Sequence, residues 1–400
     1  MLKHMQHFLC IGIVLSQLAF SSGVPDTAFW QEYHEPYRIS GGNAVNDVRT
    51  VAVDRSEAVW VGTTAGLFVL RNGEWTKQKD VTDGPIYDLD FNEDDVLWVG
   101  AWNGLYRIHN GEAVKIKKIS DPVSAVATAP GGPVVMGPDG GWRCIEGEWS
   151  RMERSCSRNV REILTVQPDD LWIATGMGLY RLRAWGTRHY YRGNELVSGE
   201  LTSIAKAPDG RIWIGSLGGI DVYENGTRVA YYTWENGLPH YDVRSLTFDS
   251  QGRLWAGTAL GVARFDGESW SLRHSRRWLL SDDVRDVAID RDGTAWVATA
   301  SGVSAIKRKK TTLAEKADHY LDICLKRHVR PPGLVEKCIF PDPADHETFR
   351  PRDDDNDGQY TSMYLVSESF RYAVTKDPTA KAHADHAYDA LEFLQTVTDT

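Results

Sequence analysis

The sequence predicts an all-β protein, a seven-bladed β-propeller closed by its N-terminal strand, followed by a small C-terminal α-helical appendage. The first observation is a tryptophan-centred phrase, which has its cleanest copy at residues 243–267, VRSLTFDSQGRLWAGTALGVARFDG. Seven copies follow one another in steps of 38, 37, 37, 41, 42 and 41 residues. The second observation is that each copy contains short apolar runs separated by Asp, Asn and Gly, which is the pattern of half-buried strands.

One tryptophan aligns six of the seven units, at positions Trp60, Trp98, Trp172, Trp213, Trp255 and Trp296. Val135 takes this position in the remaining unit. A single unit cannot bury both faces of its own small sheet, so stacked neighbours must cover them. We expect each indole to pack between adjacent blades, where it can bury roughly 200 Å². These tryptophans are therefore predicted to be core residues and not a ladder for ligands.

The last unit offers three strands only, after which the basic run at Lys307–Lys310 begins. Near the N-terminus, Trp30–Ile39 alternates aromatic and polar residues in the manner of a strand. We predict that this segment supplies the missing outer strand of the seventh blade. That pairing closes the ring and covers two sheet edges at once.

The net charge and the N-terminal segment limit the partners and the location that we expect for the chain. The formal net charge of -10, with no basic stripe, makes nucleic acid an unexpected partner. Residues 1–23 resemble a secretory signal, because Lys3 precedes the apolar segment Phe8–Phe20, which is too short to span a membrane. We therefore expect a secreted or extracellular protein, periplasmic in a bacterium, without membrane insertion. The predicted domains are the propeller at 24–310 and a helical segment at 311–400.

The cysteines predict two disulfides. Four cysteines follow the signal segment, and an even number in an oxidising compartment favours pairing. Of the three pairings, we favour the local ones, which join Cys144 to Cys156 and Cys324 to Cys338. The alternative is that these are buried free thiols. Asn225 begins an Asn-Gly-Thr sequence on a predicted turn, so it is a candidate glycosylation site in a eukaryotic host.

Loops on one face of the propeller surround its central channel and are the predicted ligand-binding surface. The candidates in these loops combine aromatic, amide and carboxylate side chains, and they are Asn46, Tyr87, Trp102, Asn103, His240, Tyr241, Asp242 and Asp283. This mixture suits a carbohydrate or another small polar ligand. The alternative is that most of them form turns, since Asn and Asp favour turns for backbone reasons. The pairs Trp102–Asn103 and His240–Tyr241 are the strongest candidates, because exposed aromatic residues are unusual in loops.

The repeats stop near residue 310, and helical periodicity predicts three helices after it. The first begins near Leu313 and ends near Val329, before two prolines. The second spans roughly Thr361–Val374, and the third follows Asp377, with a proline in its first turn, and ends near Val397.

A short acidic segment precedes the second helix. Asp353, Asp355 and Asp357, followed by Gly358, have the spacing of the beginning of a calcium-binding loop. The twelfth position of such a loop needs an acidic residue, and Tyr364 stands there. Calcium is therefore a candidate cofactor, with the three aspartates as its ligands.

Two other interpretations of this segment remain open. The aspartates can form an acidic turn that caps the helix beginning at Thr361, where a helix N-terminus favours negative charge. Alternatively, a buried aspartate pair near Tyr360 can act as acid and base in catalysis.

The repeats resemble the two-component regulator propeller family, found in extracellular sensor regions of bacterial hybrid histidine kinases. The phrase NGLPHYDVRSLTFDSQGRLWAGTALGVARFDG, residues 236–267, contains most of the resemblance, which extends over about residues 47–306. The resemblance implies a propeller fold and a role in ligand sensing outside the membrane. The sequence departs from the family because it contains neither the kinase nor the second propeller that accompany such sensors.

Two weaker resemblances concern enzymes. The units are similar to those of streptogramin lyase-like propellers, which use a histidine and a metal on the channel face. Only His240 lies in a corresponding kind of loop here, so catalysis does not transfer. Residues 355–378 resemble the opening helices of an α/α-toroid, a helical barrel common among secreted carbohydrate-active enzymes.

The sequence therefore favours a secreted ligand-binding or sensor-like propeller. The alternative is a polysaccharide-processing lyase or hydrolase, or a truncated relative of one, with its chemistry near Asp353–Tyr360. A third hypothesis is an interaction scaffold that binds a protein partner.

Overall fold

The computed structural model describes residues 26–129, 131–152, 159–193, 195–342, 345, 347–352 and 355–397. The predicted signal segment, Cys156 and Asp353 lie outside these residues. The chain divides into two compact units, one of residues 32–308 and one that combines the residues before 32 with residues 309–400.

Within the described residues, seven four-stranded sheets form the blades of a β-propeller, which confirms the predicted fold class. The first strand in the chain is β1 (Phe29–Tyr37). Blade 1 contains β2 (Val48–Val53), β3 (Val59–Thr63), β4 (Gly66–Arg71) and β5 (Glu74–Lys77). Blade 2 contains β6 (Ile86–Phe91), β7 (Leu97–Ala101), β8 (Gly104–His109) and β9 (Glu112–Lys115). Blade 3 contains β10 (Ala125–Ala127), β11 (Val134–Gly137), β12 (Gly140–Ile145) and β13 (Glu148–Arg151).

The remaining blades follow the same plan, with the inner strand first. Blade 4 contains β14 (Val160–Gln167), β15 (Asp170–Thr175), β16 (Gly178–Arg183) and β17 (Gly186–Tyr190). Blade 5 contains β18 (Leu201–Lys206), β19 (Ile212–Ser216), β20 (Gly219–Glu224) and β21 (Thr227–Tyr232). Blade 6 contains β22 (Val243–Phe248), β23 (Leu254–Thr258), β24 (Gly261–Phe265) and β25 (Trp270–Arg273). Blade 7 contains β26 (Val284–Ile289), β27 (Ala295–Thr299) and β28 (Gly302–Thr311).

The N-terminal strand completes blade 7, as predicted. Its sheet has the order β1-β28-β27-β26, so β1 takes the outer position that the last repeat leaves empty. Lys307 on β28 contacts Glu35 on β1, with 2.5 Å between Nζ and Oε2. Joining the two ends of the repeat array in one sheet covers both of their edges.

The repeat tryptophans pack between blades, as predicted. Trp60 of blade 1 lies in one buried cluster with Ile86 and Leu89 of blade 2. Trp255 of blade 6 lies in another with Val284 and Val287 of blade 7. Each of these indoles therefore covers the apolar face of the following blade.

In blade 3, which lacks the repeat tryptophan, other side chains fill the space between the blades. Val135 takes the tryptophan position, and its cross-strand partner on β12 is Trp142, which packs against the same cluster. Towards blade 4, a separate buried cluster contains Met136, a flexible side chain that fills irregular gaps, together with Ile163.

A carboxylate in the turn before the second strand orients each indole in three of the blades. In blade 1, Asp54 Oδ1 accepts the backbone N–H groups of Ser56 and Ala58, and Oδ2 accepts the Trp60 indole N–H at 2.9 Å. Burial opposes ionisation of this carboxyl, but hydrogen bonds from Ser56 and Trp60 lower the pKa of Asp54 below its ordinary value. Asp249 and Asp290 hold their indoles in the same way in blades 6 and 7.

Replacing Asp54 by asparagine is expected to destabilise the propeller by about 1–2 kcal/mol, because the buried indole N–H loses its acceptor. Urea unfolding followed by tryptophan fluorescence measures this loss. Asp292→Asn is the matched control, since Asp292 is an exposed residue in the corresponding turn of blade 7. Equal stability of the two variants would contradict the role given to the Asp54 carboxylate.

The rest of the chain contains helices and two small hairpins. A short helix, α1 (Asn43–Asn46), precedes blade 1. The second unit contains α2 (Leu313–Arg327), α3 (Asp357–Thr375) and α4 (Pro378–Thr396), with the hairpin strands β29 (Val329–Arg330), β30 (Leu334–Val335), β31 (Lys337–Ile339) and β32 (Arg350–Arg352). No helix among the described residues combines the length and apolarity that a bilayer span needs.

Local signals explain where these helices begin, with one correction. Thr312 and Glu315 cap α2 reciprocally, and the Asp377 side chain caps α4. The predicted start of the second helix at Thr361 is wrong, because α3 begins at Asp357. Thr361 is buried inside the helix, and its hydroxyl donates to the Asp357 carbonyl and accepts the backbone N–H of Val335.

The predicted Cys324–Cys338 disulfide is absent, and both residues have free thiols. The intervening hairpin places the two thiols in different surroundings. Cys338 Sγ lies 4.0 Å from Nε2 of His328. Burial raises the pKa of the Cys324 thiol on α2, and the charge of Glu368 adds to this effect. Cys144 also has a free thiol, and its predicted partner Cys156 is outside the described residues.

Candidate functional site

The inner strands begin with a feature that the loop analysis missed. Six of the seven described inner strands have a register shift at their first residues, which places one residue on a β-bulge. The bulged residues are Arg49, Tyr87, Arg161, Thr202, Arg244 and Arg285. Bulges re-aim side chains and are frequent beside functional sites. A repeated Val-Arg pair at the start of four inner strands was the signal in the sequence.

Ion pairs link the channel mouth across blades 6, 7 and 1. Arg244 contacts Asp242 in its own blade, at 3.1 Å between Nη2 and Oδ2, and Asp283 in blade 7. Arg285 contacts the same Asp283 at 2.9 Å and reaches Asp47 of blade 1 at 3.8 Å. The structure therefore brings together the predicted residues Asp242 and Asp283 with two arginines that were not predicted.

A separate aromatic contact joins the starts of the inner strands of blades 1 and 2. The Arg49 guanidinium lies 5.8 Å from the ring centre of Tyr87, a predicted site residue.

Partial burial raises the pKa of Asp283, but hydrogen bonding to Arg285 and the charges of Arg285 and Arg244 outweigh it and lower the pKa. Asp283 is therefore ionised at neutral pH, and the mouth presents fixed charges of both signs. Arg161, the bulged arginine of blade 4, is exposed and adds a further positive charge.

The predicted pair His240–Tyr241 forms an aromatic edge of this mouth. The two rings are stacked, with 4.7 Å between their centres and 19° between their planes. His240 Nδ1 accepts the backbone N–H of Asp242 at 3.2 Å, which holds the imidazole in place. Tyr241 is 54% exposed, so its ring is available to a ligand next to the Asp242 carboxylate.

Trp102 is a second exposed aromatic residue, at 47% exposure. Its indole N–H donates to Thr82 Oγ1 at 2.8 Å, and a Cβ added at Gly84 would lie 2.1 Å from the indole nitrogen. The ring thus lies flat against the loop that enters blade 2, which requires glycine at position 84. The neighbouring Asn103 accepts a hydrogen bond from the Tyr106 hydroxyl at 3.2 Å.

Asn46 was predicted to bind a ligand, but its side chain forms hydrogen bonds with the backbone before blade 1. Its side-chain amide accepts the backbone N–H of Ile39 at 2.9 Å and donates to the carbonyls of Ile39 and Gly42. These bonds order the segment between β1 and blade 1. The amide of Asn46 is therefore occupied within the chain.

Below the mouth, carboxylates on the inner strands join neighbouring blades. Each accepts a backbone N–H from the next inner strand, and the pairs are Asp88 with Val126 at 2.6 Å, Glu162 with Ile204 at 2.8 Å and Asp286 with Val51 at 2.9 Å. An inner strand has no further strand beside it, so a side chain must satisfy these N–H groups. We refer to Asp88, Glu162 and Asp286 as the inner carboxylates.

Burial raises the pKa values of all three inner carboxylates, and neighbouring negative charges raise those of Asp88 and Glu162 further. Burial raises the pKa of Asp88 to about 8, and the charges of Asp90 and Asp286 add to this effect. Burial and the charge of Asp88 raise the pKa of Glu162 well above its ordinary value. Asp88 therefore retains its proton near neutral pH. The inner carboxylates escaped the sequence analysis because they lie within strands, which were assigned to the core.

The acidic segment of the second unit does not form a described metal site. Asp353 is outside the described residues, and Asp355 is exposed. Asp357 is buried in the first turn of α3, with its Oδ2 3.0 Å from Nη2 of Arg330. The described residues contain no group of three or more His, Cys, Asp or Glu side chains arranged to hold a metal ion. Calcium binding by Asp353, Asp355 and Asp357 stays a prediction.

Asn225, the candidate glycosylation site, is exposed in the turn between β20 and β21. Its backbone φ of 51° places it in the left-handed region, which asparagine tolerates in turns. The position is accessible, and its modification stays a prediction.

The fold and the polar mouth define a repeat propeller, and the sequence comparison agrees. Residues 237–259 match the two component regulator propeller family, so the chain contains at least one repeat of that type. This match lies in blade 6 and the loop before it. A search of curated proteins finds no match to this chain.

Solved structures show the same fold at low identity. The extracellular domain of the putative one component system BT4673 from B. thetaiotaomicron has a TM-score of 0.58 and 17% identity, over 68% of this chain and 39% of that one. This chain thus spans about two fifths of that relative's length. Virginiamycin B lyase from Staphylococcus aureus has a TM-score of 0.57 and 13% identity, over 70% of this chain and 99% of that one. The WD40 β-propeller domain of Doa1 has a TM-score of 0.56 and 15% identity, over 68% of this chain and 96% of that one.

Proposed function

We propose that the protein is a sensor-like propeller that acts outside the cytosol and binds a carbohydrate or another polar ligand at its channel mouth. The observation that supports this most is the ion-pair network that joins Arg244 of blade 6, through Asp283 and Arg285 of blade 7, to Asp47 of blade 1. Such a network holds donors and acceptors in fixed positions at no cost when a ligand arrives.

Two exposed aromatic rings add a surface for an apolar sugar face. Tyr241 lies beside the network, and Trp102 lies on the loop at blade 2. Convergent polar groups next to aromatic side chains are the usual composition of small-ligand sites. Two observations support a location outside the cytosol: the similar BT4673 structure is an extracellular domain, and residues 1–23 have a secretory pattern.

The polysaccharide-processing alternative depends on the acidic segment of the second unit. Asp357 is buried and ion-paired with Arg330, so this carboxylate is not free to exchange protons with a substrate. The binding function is therefore the better-supported proposal.

The test is a titration of the purified protein with acidic and neutral oligosaccharides, selected on a glycan array and measured by calorimetry. Tyr241→Ala is expected to weaken binding by about tenfold, since stacking on an exposed ring contributes on the order of 1–2 kcal/mol. Tyr231→Ala is the matched control, because Tyr231 is 50% exposed but lies on the outer strand β21. Equal effects of the two substitutions, or no binding on the array, would refute the proposed mouth site.

A further inference from the structure

Blade 2 lacks the turn carboxylate that holds the indole in blades 1, 6 and 7. Asn92 replaces the aspartate, and its Oδ1 accepts the backbone N–H groups of Asp94 and Val96 at 3.0 and 2.9 Å. Asp54 Oδ1 makes the same two bonds in blade 1, where Oδ2 then accepts the indole N–H. In Asn92 the second position is an NH₂ group, which cannot accept. The indole N–H of Trp98 is accordingly buried and has no acceptor among the described residues.

A second donor lies beside this indole. Arg107 on β8 is the direct cross-strand partner of Trp98 on β7. The corresponding Arg181 of blade 4 has a carboxylate partner, Asp170, at 2.5 Å, and Arg264 of blade 6 contacts Glu32. Arg107 has no ion pair among the described residues. Blade 2 therefore contains an unsatisfied indole N–H and an unpaired cation where blades 1, 6 and 7 contain a turn carboxylate.

These donors line a cavity of about 680 Å³ between blades 2 and 3. Asn92, Trp98 and Arg107 all contribute to its wall, together with the aromatic rings of Phe91 and Trp149. The two indoles meet edge to face, with 5.8 Å between their centres. A volume in the range of 300–1,000 Å³ suits a small organic molecule.

Two other repeat tryptophans also have unsatisfied indole N–H groups, and comparing their surroundings shows how blade 2 differs. The indole N–H groups of Trp172 and Trp213 likewise lack acceptors. Trp172 lies under Arg181, at 4.6 Å, and Asp170 already neutralises that arginine. Trp213 stacks face to face on Tyr232, with 5.4 Å between ring centres. In blade 2, by contrast, the buried donor, the unpaired cation and the cavity coincide.

We propose that this interblade cavity is a binding site for a small aromatic carboxylate. The ligand carboxylate lies beside the Asn92 side chain, and it accepts hydrogen bonds from the Asn92 NH₂ group and from Arg107. The aromatic body lies against Phe91, Trp98 and Trp149. Charge-assisted bonds to a desolvated carboxylate are about twice as strong as neutral ones, so the charge determines selectivity.

The rim of the cavity restricts the ligand further. Glu93 and Asp94 also line it, and both side chains are exposed. Their negative charges disfavour a polyanion at the opening. The site is therefore expected to take a monocarboxylate in preference to a phosphate or a dicarboxylate.

Phenylacetate and its neutral amide, phenylacetamide, are the probes for the test. Calorimetry on the purified protein is expected to show that phenylacetate binds at least about tenfold more tightly than phenylacetamide. Asn92→Asp places the missing carboxylate within the chain. This variant is expected to lose at least about tenfold in phenylacetate affinity while its melting temperature rises, so misfolding cannot explain the loss.

Ala207→Asp is the matched control, because Ala207 occupies the corresponding turn position below Trp213 in blade 5. This substitution adds the same charge without touching the cavity, and phenylacetate affinity is expected to stay unchanged. No phenylacetate binding, equal binding of the amide, or full affinity in Asn92→Asp would each overturn the proposal. Oligosaccharide binding at the channel mouth is independent of all three outcomes.

Discussion

Glu32→Ala is expected to destabilise the propeller by about 3–5 kcal/mol, because it leaves the buried Arg273 and the half-buried Arg264 without their shared counter-charge. Glu32 lies on the closing strand β1 and accepts the Nε–H of Arg273 at 2.8 Å and a hydrogen bond from Arg264. Both guanidinium groups lie over the Trp255 ring, at 5.2 and 5.3 Å. Burial raises the pKa of Glu32, but hydrogen bonds and charge from Arg273 and Arg264 outweigh it and lower the pKa.

Urea unfolding at neutral pH measures this loss, and Glu35→Ala on the same strand is its control. Glu35 pairs with Lys307 in a more exposed position, where an ion pair contributes about 1 kcal/mol or less. If the two alanine variants are equally stable, the buried cluster does not hold the closing strand. If only Glu32→Ala lowers stability strongly, closure depends on the arginines of blade 6.

Raising the pH from about 4 to 8 is expected to destabilise the wild-type protein by about 2–4 kcal/mol more than it destabilises the variant Asp88→Asn. In the folded protein, burial raises the pKa of Asp88 to about 8, whereas the unfolded chain keeps its ordinary value of 3.8. Below the ordinary value both states are protonated. Between the two values only the unfolded chain ionises, so stability falls as the pH rises towards 8.

The size of this effect is smaller than the pKa difference alone implies. One pKa unit corresponds to about 1.4 kcal/mol, but Asp88 is only half-buried at the channel, where water reduces the penalty. Asp90, Glu162 and Asp286 are the carboxyls that interact with it, and they titrate in both proteins. Replacing Asp88 removes its own titration and also its repulsion of Glu162, and both changes reduce the pH dependence of the variant.

Urea unfolding of both proteins between pH 4.5 and 8.5 tests this expectation. The neutral amide cannot ionise in either state, so the stability of Asp88→Asn should depend less on pH. Asp292→Asn, at an exposed position, should follow the wild-type profile. Parallel profiles for wild type and Asp88→Asn would show that Asp88 is ionised in the folded protein at neutral pH.

The repeat made the blades and their closure predictable, because each unit encodes its own strands and turns in the spacing of apolar residues. The same logic placed α4, where Asp377 and the following proline mark a helix start. It misplaced the start of α3, since Asp357 and Gly358 suggest a turn. The Cys324–Cys338 prediction was wrong for a related reason, because sequence spacing does not report the direction of a thiol.

The channel mouth was predictable only in part. Tyr241 and Trp102 were identified because aromatic residues in loops are unusual, and both are exposed. Arg244 and Arg285 were missed because they lie at strand starts, where side chains normally alternate between the two faces of a sheet. A bulge changes that alternation, and the repeated Val-Arg pair in the sequence does not by itself identify the bulge.

The sequence by itself determined the number of blades, the interblade position of the tryptophans and the closure by the N-terminal strand. These follow from which residues must leave water, and apolar periodicity records that directly. Only the tertiary structure decided which polar groups meet, because their partners come from neighbouring blades. Asp88 meets Val126, Arg244 meets Asp283, and Asn92 leaves Trp98 unsatisfied beside a cavity. Such pairings depend on distances between blades, to which hydrophobic patterning is insensitive.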